Sequence, residues 1–155
     1  MSPDFKTCVD KKKLYRSEAA KALSSKELKT AGDDLAEAES SLSQKRHKWA
    51  TIQAYYAMFH AARALLYSQG YRERSHGCVV AGIEHLFGLT NLLDLRWVRA
   101  FTNVMSLRED ADYSDAYSLQ GAEVSVAHAK GFLREATRIL TADKVREAKK
   151  DKKKR

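Results

Sequence analysis

Two short polar segments carry the side chains best suited to chemistry in this sequence. The first holds Arg108, Asp110, Asp112 and Tyr113, so an arginine lies within a few residues of two carboxylates and a phenol. A guanidinium can bind phosphate or carboxylate through paired hydrogen bonds, and a phenol can orient the bound group. The same spacing suits a local salt bridge and helix cap, so a functional site and a structural arrangement are both open.

The second polar segment, YRERSH, contains Arg72, Arg74 and His76 just before a predicted helix. Backbone N–H groups at a helix start and nearby cationic side chains favour anions, so these three residues form a candidate anion-binding loop. The alternative interpretation is a loop of solvated charges. In the long chain segment before this loop, hydrophobic periodicity predicts a helix from about Lys48 to just before Gly70, which suits a left-handed cap.

Opposite sides of this long helix differ in kind. One side has Ala54, Ala61 and other small or apolar residues, which predicts a buried face. The other side is aromatic and polar; it comprises Trp49, Gln53, Tyr56, His60, Arg63 and Tyr67. Its polar atoms need partners. A self-association surface or adjoining cleft, a partly solvated face and a small-molecule pocket are the three interpretations, and the first predicts that Arg63→Glu converts a dimer to a monomer.

Periodicity predicts an all-helical fold, because the alternating pattern of strands is absent and the only proline is Pro3. Further helices are predicted over residues 8–24, 25–42, from Ser75 to about Gly88, from Leu93 to Leu107, and from Leu119 to Leu140, with residues 108–115 as a connection. The predicted division is an N-terminal helical extension (1–24), a helical bundle (25–142) and a basic C-terminal tail (143–155).

Charge is concentrated at one end of the chain. The formal net charge is +8, and residues 144–155 contain eight Lys or Arg against Glu147 and Asp151. Such a run is typical of a solvated, frayed terminus, and an arm that contacts phosphates is the alternative. Deleting Lys144 to Arg155 would test the second interpretation.

Other features exclude several classes of protein. Cys8 and Cys78 are too few for a disulfide framework and lack metal-ligand spacing, which favours a reducing cytoplasm. We find no apolar run long enough to span a membrane and no signal-like N-terminus. The motifs HExxH, paired CxxC, GxxxxGK[ST] and GxSxG are absent, so we predict no metal and no cofactor.

Three segments together resemble a known family. AYYAMFHAARALL, the SHG of RERSHGCVVAGIEHLF, and LREDADYSD follow one another in the order and at the separations of the HEPN domain, specifically its small stand-alone UPF0332-like branch. The resemblance covers roughly Leu28 to Leu140. It implies an up-and-down bundle of four or five helices that dimerises. It also implies a partner, since many members are encoded beside a minimal nucleotidyltransferase in a toxin–antitoxin-like pair.

Active members of this family are metal-independent endoribonucleases, whose signature is an arginine and a later histidine with four to six residues between them. Here Arg108 is present, but Asp112 or Tyr113 stands where the histidine is expected. The resemblance assigns catalytic positions to Arg108, Asp112 and Tyr113, with His76 from the loop. It places Tyr56, His60 and Arg63 on the binding or dimer face, together with Gln53 and Tyr67.

The missing histidine leads us to expect a cytoplasmic module that forms a homodimer and works by binding a nucleotidyltransferase and RNA. The alternative is a diverged metal-independent endoribonuclease. In that case His60 or His76 would have to reach Arg108 in space to supply the proton transfer.

Overall fold

The structure, a computed structural model, describes residues 4–155 and is an all-helical bundle with one very small sheet. This confirms the predicted fold class. Its α-helices are α1 (Phe5–Asp10), α2 (Ser24–Ser43), α3 (His47–Ser68), α4 (His76–Ile83), α5 (Leu95–Tyr113) and α6 (Leu119–Lys153). A 3-10 helix spans Glu18–Leu23, a π-helical turn spans Glu84–Gly88, and the strands are β1 (Leu14–Arg16) and β2 (Tyr71–Glu73). Among the residues described, no helix is both long and apolar enough to cross a membrane.

Helix α3 lies at the centre of the bundle and packs against α2, α4, α5 and α6. Alanines recur along it, and Ala54, Ala57 and Ala61 are fully buried. Small side chains allow the neighbouring helices to approach closely, and the alanine stripes of α2 and α6 do the same from the other side. Larger side chains, such as Phe101 and Phe132, fill the remaining core.

The N-terminal extension is not the single helix predicted for residues 8–24. Helix α1 ends at Asp10, and Lys12 adopts a left-handed conformation with φ of 56°. The chain then forms β1, which pairs antiparallel with β2 in the register Leu14 with Glu73. Leu14 is 1% exposed in this arrangement. Burial of Leu14 and strand pairing outweigh the weak helical pattern, because tertiary contacts override local propensity.

The segment 108–115 is not the predicted connection, since α5 continues to Tyr113. Val104 and Ala111 are both fully buried, and Arg108 lies between them on the same face. Arg108 can therefore occupy a position on the buried face of α5, because its guanidinium has hydrogen-bonding partners within the bundle. The real connection is shorter: it follows Ser114 and contains Asp115 in a left-handed conformation, with φ of 50°.

Helix α6 is capped by Ser118, whose side chain accepts a hydrogen bond from the Gly121 N–H, and it continues without a break to Lys153. The predicted tail is therefore the last third of a long helix and not a frayed coil. The interpretation of residues 143–155 as a separate unit stays a prediction, although α6 passes straight through that boundary.

The two cysteines are bonded to each other, which the sequence argument did not anticipate. The disulfide joins Cys8 of α1 to Cys78 of α4, whose Cα atoms lie 5.8 Å apart. It attaches the N-terminal extension to the helix that begins at His76. A second small core surrounds it and includes Leu14, Leu66 and Tyr67.

Candidate functional site

Arg108 on α5 is the centre of an aromatic cluster. Its Nη2 donates to the Tyr56 hydroxyl at 3.0 Å and lies 3.4 Å from an Asp112 carboxylate oxygen. Its guanidinium carbon is 5.1, 5.5 and 5.6 Å from the ring centroids of Tyr55, Tyr56 and Tyr113. The Arg108 side chain is only 13% exposed. Cation–π contacts and a charge-assisted pair therefore hold a guanidinium in place at the bundle surface.

His76, the first residue of α4, faces the same cluster. Its Nδ1 lies 2.6 Å from the Tyr55 hydroxyl oxygen, and its ring stacks on Phe59 with centroids 4.3 Å apart. Partial burial of the ring lowers the pKa of His76, and the positive charges of Arg108 and Arg63 lower it further. His76 is therefore neutral near neutral pH, although the residue is exposed to solvent.

Tyr55 determines which nitrogen of His76 carries the proton. The Tyr55 side chain is fully buried, and burial raises its pKa well above the usual range, even though Arg108 opposes that shift. Tyr55 thus keeps its hydroxyl proton and donates it to His76 Nδ1. In neutral His76, the ring proton is then on Nε2, so this nitrogen is a hydrogen-bond donor.

The four residues assigned catalytic positions from the sequence lie in one region. Asp112 pairs with Arg108 on the last turns of α5, and the neighbouring Tyr113 is 76% exposed. His76 joins them through Tyr55, which contacts both His76 and Arg108. Sequence reasoning missed Tyr55 because it looked like ordinary core; the adjacent pair of tyrosines was the only available signal.

The polar face of α3 finds most of its partners within the same chain. His60 Nδ1 donates to Glu27 of α2 at 2.6 Å, and His60 Nε2 lies 3.8 Å from Asp34. Arg63 forms ion pairs with Glu27 at 3.6 Å and with Glu73 of β2 at 2.8 Å. This network joins α2, α3 and β2.

Gln53 and Tyr67 on that face also have partners, whereas Trp49 is 54% exposed. The Gln53 amide hydrogen-bonds with Ser41 at 2.6 Å, and the Arg63 guanidinium donates to the Tyr67 hydroxyl. Tyr67 is 1% exposed. These polar side chains, whose types had favoured a dimer surface, thus have hydrogen-bond or ion-pair partners within one chain. The dimer face itself stays a prediction.

The two glutamates that share Arg63 differ in their ionisation. Burial tends to raise the pKa of Glu27, but the His60 hydrogen bond and the Arg63 charge outweigh it, so this pKa is lowered. Burial dominates at Glu73, whose pKa is raised despite Arg63. The Glu73 side chain is 8% exposed, half the value for Glu27, and its contact with Arg63 is not aligned as a hydrogen bond.

The predicted anion loop is distributed over separate contacts. Arg72 lies on β2 with its guanidinium 5.3 Å from the Tyr67 ring centroid. Arg74 stacks over Tyr15 of β1 at 4.6 Å. His76 turns toward Tyr55. Each member thus has its own partner, and His76 is the one that the fold brings to the Arg108 cluster.

An all-helical bundle with an arginine cluster near the end of α5 agrees with the family to which the sequence points. The HEPN domain family matches residues 24–147, and the chain therefore belongs to this family. The family resemblance is confirmed, and the UPF0332-like branch stays a prediction. A Methanocaldococcus jannaschii protein named "Putative toxin MJ0605" is 30% identical over 111 residues, which cover 68% of this chain and 80% of that protein.

Proposed function

We propose that this HEPN protein is a toxin-like module that binds RNA at the Arg108 cluster and acts together with a second copy and a partner protein. The observation that carries the proposal is the link from Arg108 through Tyr55 to His76. A guanidinium and an Nε2–H donor at one surface suit the non-bridging oxygens of a phosphodiester. The relative named as a toxin supports the same biological class.

The arrangement favours binding over proton transfer. His76 can accept a proton from a ribose hydroxyl only through a nitrogen with a free lone pair, and the Tyr55 hydroxyl already uses the lone pair of Nδ1. Nε2 carries a proton in the neutral ring. The lowered pKa also keeps the imidazolium form scarce near neutral pH, so His76 is a poor general acid.

A metal-independent endoribonuclease is the second candidate, because the fold places a histidine in the Arg108 cluster that the sequence spacing lacks. In that reaction a ribose 2′-hydroxyl gives up its proton and attacks the adjacent phosphorus to form a 2′,3′-cyclic phosphate, while the 5′-oxygen leaves and takes up a proton. Arg108 would stabilise the phosphorane charge, and His76 would transfer a proton after changing tautomer or through a second copy.

One assay separates the two candidates. Labelled single-stranded RNA is incubated in EDTA with the native protein, with Arg108→Ala and with His76→Gln, and both anisotropy and chain length are measured. Arg99→Ala is the matched control, because Arg99 lies on the exposed side of α5. We expect binding that falls about tenfold in Arg108→Ala, since a charge-assisted contact is worth about 1.5–3 kcal/mol, with intact RNA throughout.

Cleavage by the native protein and the Arg99 control, but not by the Arg108 and His76 variants, would instead establish the endoribonuclease. Equal binding by all four proteins would refute the Arg108 site. Contaminating nuclease would cleave RNA with every variant, which distinguishes it from both candidates.

A nucleotidyltransferase is the partner that the family favours, and one feature of the site supports it. Tyr113 is 76% exposed beside Arg108, so its hydroxyl is accessible to a modifying enzyme. Transfer of a nucleotidyl group to that oxygen, with release of pyrophosphate, would add negative charge next to Arg108 and block phosphate binding. Mass spectrometry after incubation with a minimal nucleotidyltransferase and ATP tests this, with Tyr113→Phe and Tyr117→Phe as variant and control.

A further inference from the structure

A groove of about 620 Å³ lies far along α3 from the Arg108 cluster, where the N-terminal extension meets the end of α6. Its floor includes Leu28 and Leu140, and Ser68 and Gln69 at the end of α3 close one side. The charged and hydroxyl side chains of its walls are Arg16, Lys21, Ser24, Ser25, Asp143, Lys144, Arg146, Glu147 and Lys150. Five elements thus contribute to one concave surface: β1, the 3-10 helix, α2, α3 and α6.

The groove is strongly basic. Five cationic side chains line it against two carboxylates, those of Asp143 and Glu147. Arg146 pairs with Asp143 at 2.6 Å, and Lys21 pairs with Glu18 at 3.1 Å. The Lys21–Glu18 pair is largely exposed, and in the other pair Arg146 is 59% and Asp143 26% exposed, so both cations can exchange their partner for another anion. The net charge of the lining therefore favours an anionic ligand.

The basic end of the sequence forms one wall of this groove. Lys144 Nζ donates to Ser25 Oγ at 3.3 Å, which places the last third of α6 against the start of α2. Ser24 Oγ donates to the Ala64 carbonyl at 2.7 Å and fixes that start against α3. The 3-10 helix Glu18–Leu23 runs directly into α2, and the Ser24 N–H donates to the Lys21 carbonyl. The attraction of this groove for anions therefore comes from its cationic side chains.

We propose that this groove binds the phosphodiester backbone of an RNA strand and guides it along the bundle, a role distinct from the contact at Arg108. The choice of RNA as the ligand rests on the proposed function, whereas the basic character of the groove follows from its lining residues alone. The volume lies within the range of about 300–1,000 Å³ typical of ligand clefts, which suits a short piece of single strand. Leu28 and Leu140 offer apolar contact to sugars or bases between the flanking cations.

The test compares two double charge reversals on one helix. Lys144→Glu with Lys150→Glu changes the groove wall. Lys149→Glu with Lys152→Glu makes the same change in net charge, but at about 100° per residue these two positions lie on the opposite face of α6. Full-length proteins are titrated with a fluorescent 2′-O-methyl RNA, which lacks the attacking hydroxyl, at several salt concentrations. Circular dichroism confirms that each variant is folded, and Lys144→Gln with Lys150→Gln serves as a milder replacement.

The groove variant should bind at least about tenfold more weakly, and the slope of log affinity against log salt should fall by about 1.4, or 0.7 for each lost phosphate contact. The control should stay within about twofold, because screening weakens the charges on the far face. Equal losses in both double variants would overturn the groove and leave only a general attraction to the basic helix. Competition by AMP as strong as by RNA would overturn the RNA assignment in favour of a nucleotide site.

The same titration with Arg108→Ala separates this inference from the proposed function. Weaker binding in the groove variant with unchanged binding in Arg108→Ala would support the groove and refute the Arg108 site. Weaker binding in Arg108→Ala, with the two double variants equal, would refute the groove and support the site.

Discussion

Replacing Tyr55 by Phe should change the protonation of His76 without removing any apolar contact. The substitution deletes only the hydroxyl, which lies 2.6 Å from His76 Nδ1 and donates to it. That hydrogen bond stabilises the neutral ring, so its loss should raise the His76 pKa. A neutral hydrogen bond is worth about 0.5–1.5 kcal/mol, which corresponds to about 0.4–1.1 pKa units. Because His76 is exposed, we expect the lower part of this range, about 0.5 unit.

Nitrogen-15 NMR of histidine-labelled protein measures both consequences. In the native protein the His76 signals should show the tautomer with the proton on Nε2, and in Tyr55→Phe the two neutral tautomers should mix while the pKa rises. Phe59→Leu provides a comparison, because it removes the stacked ring but leaves the hydroxyl in place. An identical pKa and tautomer in native protein and Tyr55→Phe would refute the argument that Tyr55 fixes the proton.

Three further results are expected. Arg63→Glu should lower the free energy of unfolding by roughly 2–4 kcal/mol in urea titrations. The reason is that the new carboxylate replaces a guanidinium that is 20% exposed and lies beside the carboxylates of Glu27 and Glu73. Unchanged stability would contradict this ion-pair network. Reducing the disulfide should cost about 4 kcal/mol by loop-closure entropy, given the 70-residue separation of Cys8 and Cys78, and an unchanged melting temperature in dithiothreitol would count against it. Since folding lowers the pKa of His76, stability should fall as pH drops below about 6.5, and His76→Gln should reduce this dependence in melts at several pH values.

The outcome for Arg63 also bears on the predicted dimer. Its two ion pairs lie within one chain, so unfolding would accompany any loss of association in Arg63→Glu. Light scattering of the native protein is the better test of the oligomeric state. A dimeric mass would support the family expectation, and a monomeric mass at all concentrations would contradict it.

Local periodicity was sufficient to predict the central helices. The apolar spacing of α2, α3 and α6 repeats every three or four residues, and the structure buries those faces. It failed where distant contacts decide the local conformation. Leu14 lies in a strand because it pairs with Glu73 of β2, and the disulfide joins two cysteines that are 70 residues apart in the sequence. The residues next to Leu14 or Cys8 do not indicate which distant residue each of them pairs with.

The candidate site shows the same limit at the level of side chains. Arg108 could be identified from its polar segment, but that segment looked like a connection because a partly buried guanidinium breaks the apolar pattern. Its place inside α5 depends on Tyr56 of α3, which accepts its hydrogen bond. The position of His76 depends on Tyr55, a residue that the sequence analysis did not select. The spacing of residues along the sequence therefore identified Arg108 and His76 but not Tyr55, which contacts both of them.

The central claim is that an RNA phosphate meets Arg108 and His76 together. Its most direct test is the His76 ring signal, followed by nitrogen-15 NMR as 2′-O-methyl RNA is added in EDTA to the native protein and to Arg108→Ala. We predict that the native His76 signal shifts and that its pKa rises, because a phosphate charge favours the imidazolium, while the Arg108→Ala signal moves far less. A native His76 signal that does not move when the RNA is fully bound would contradict the claim.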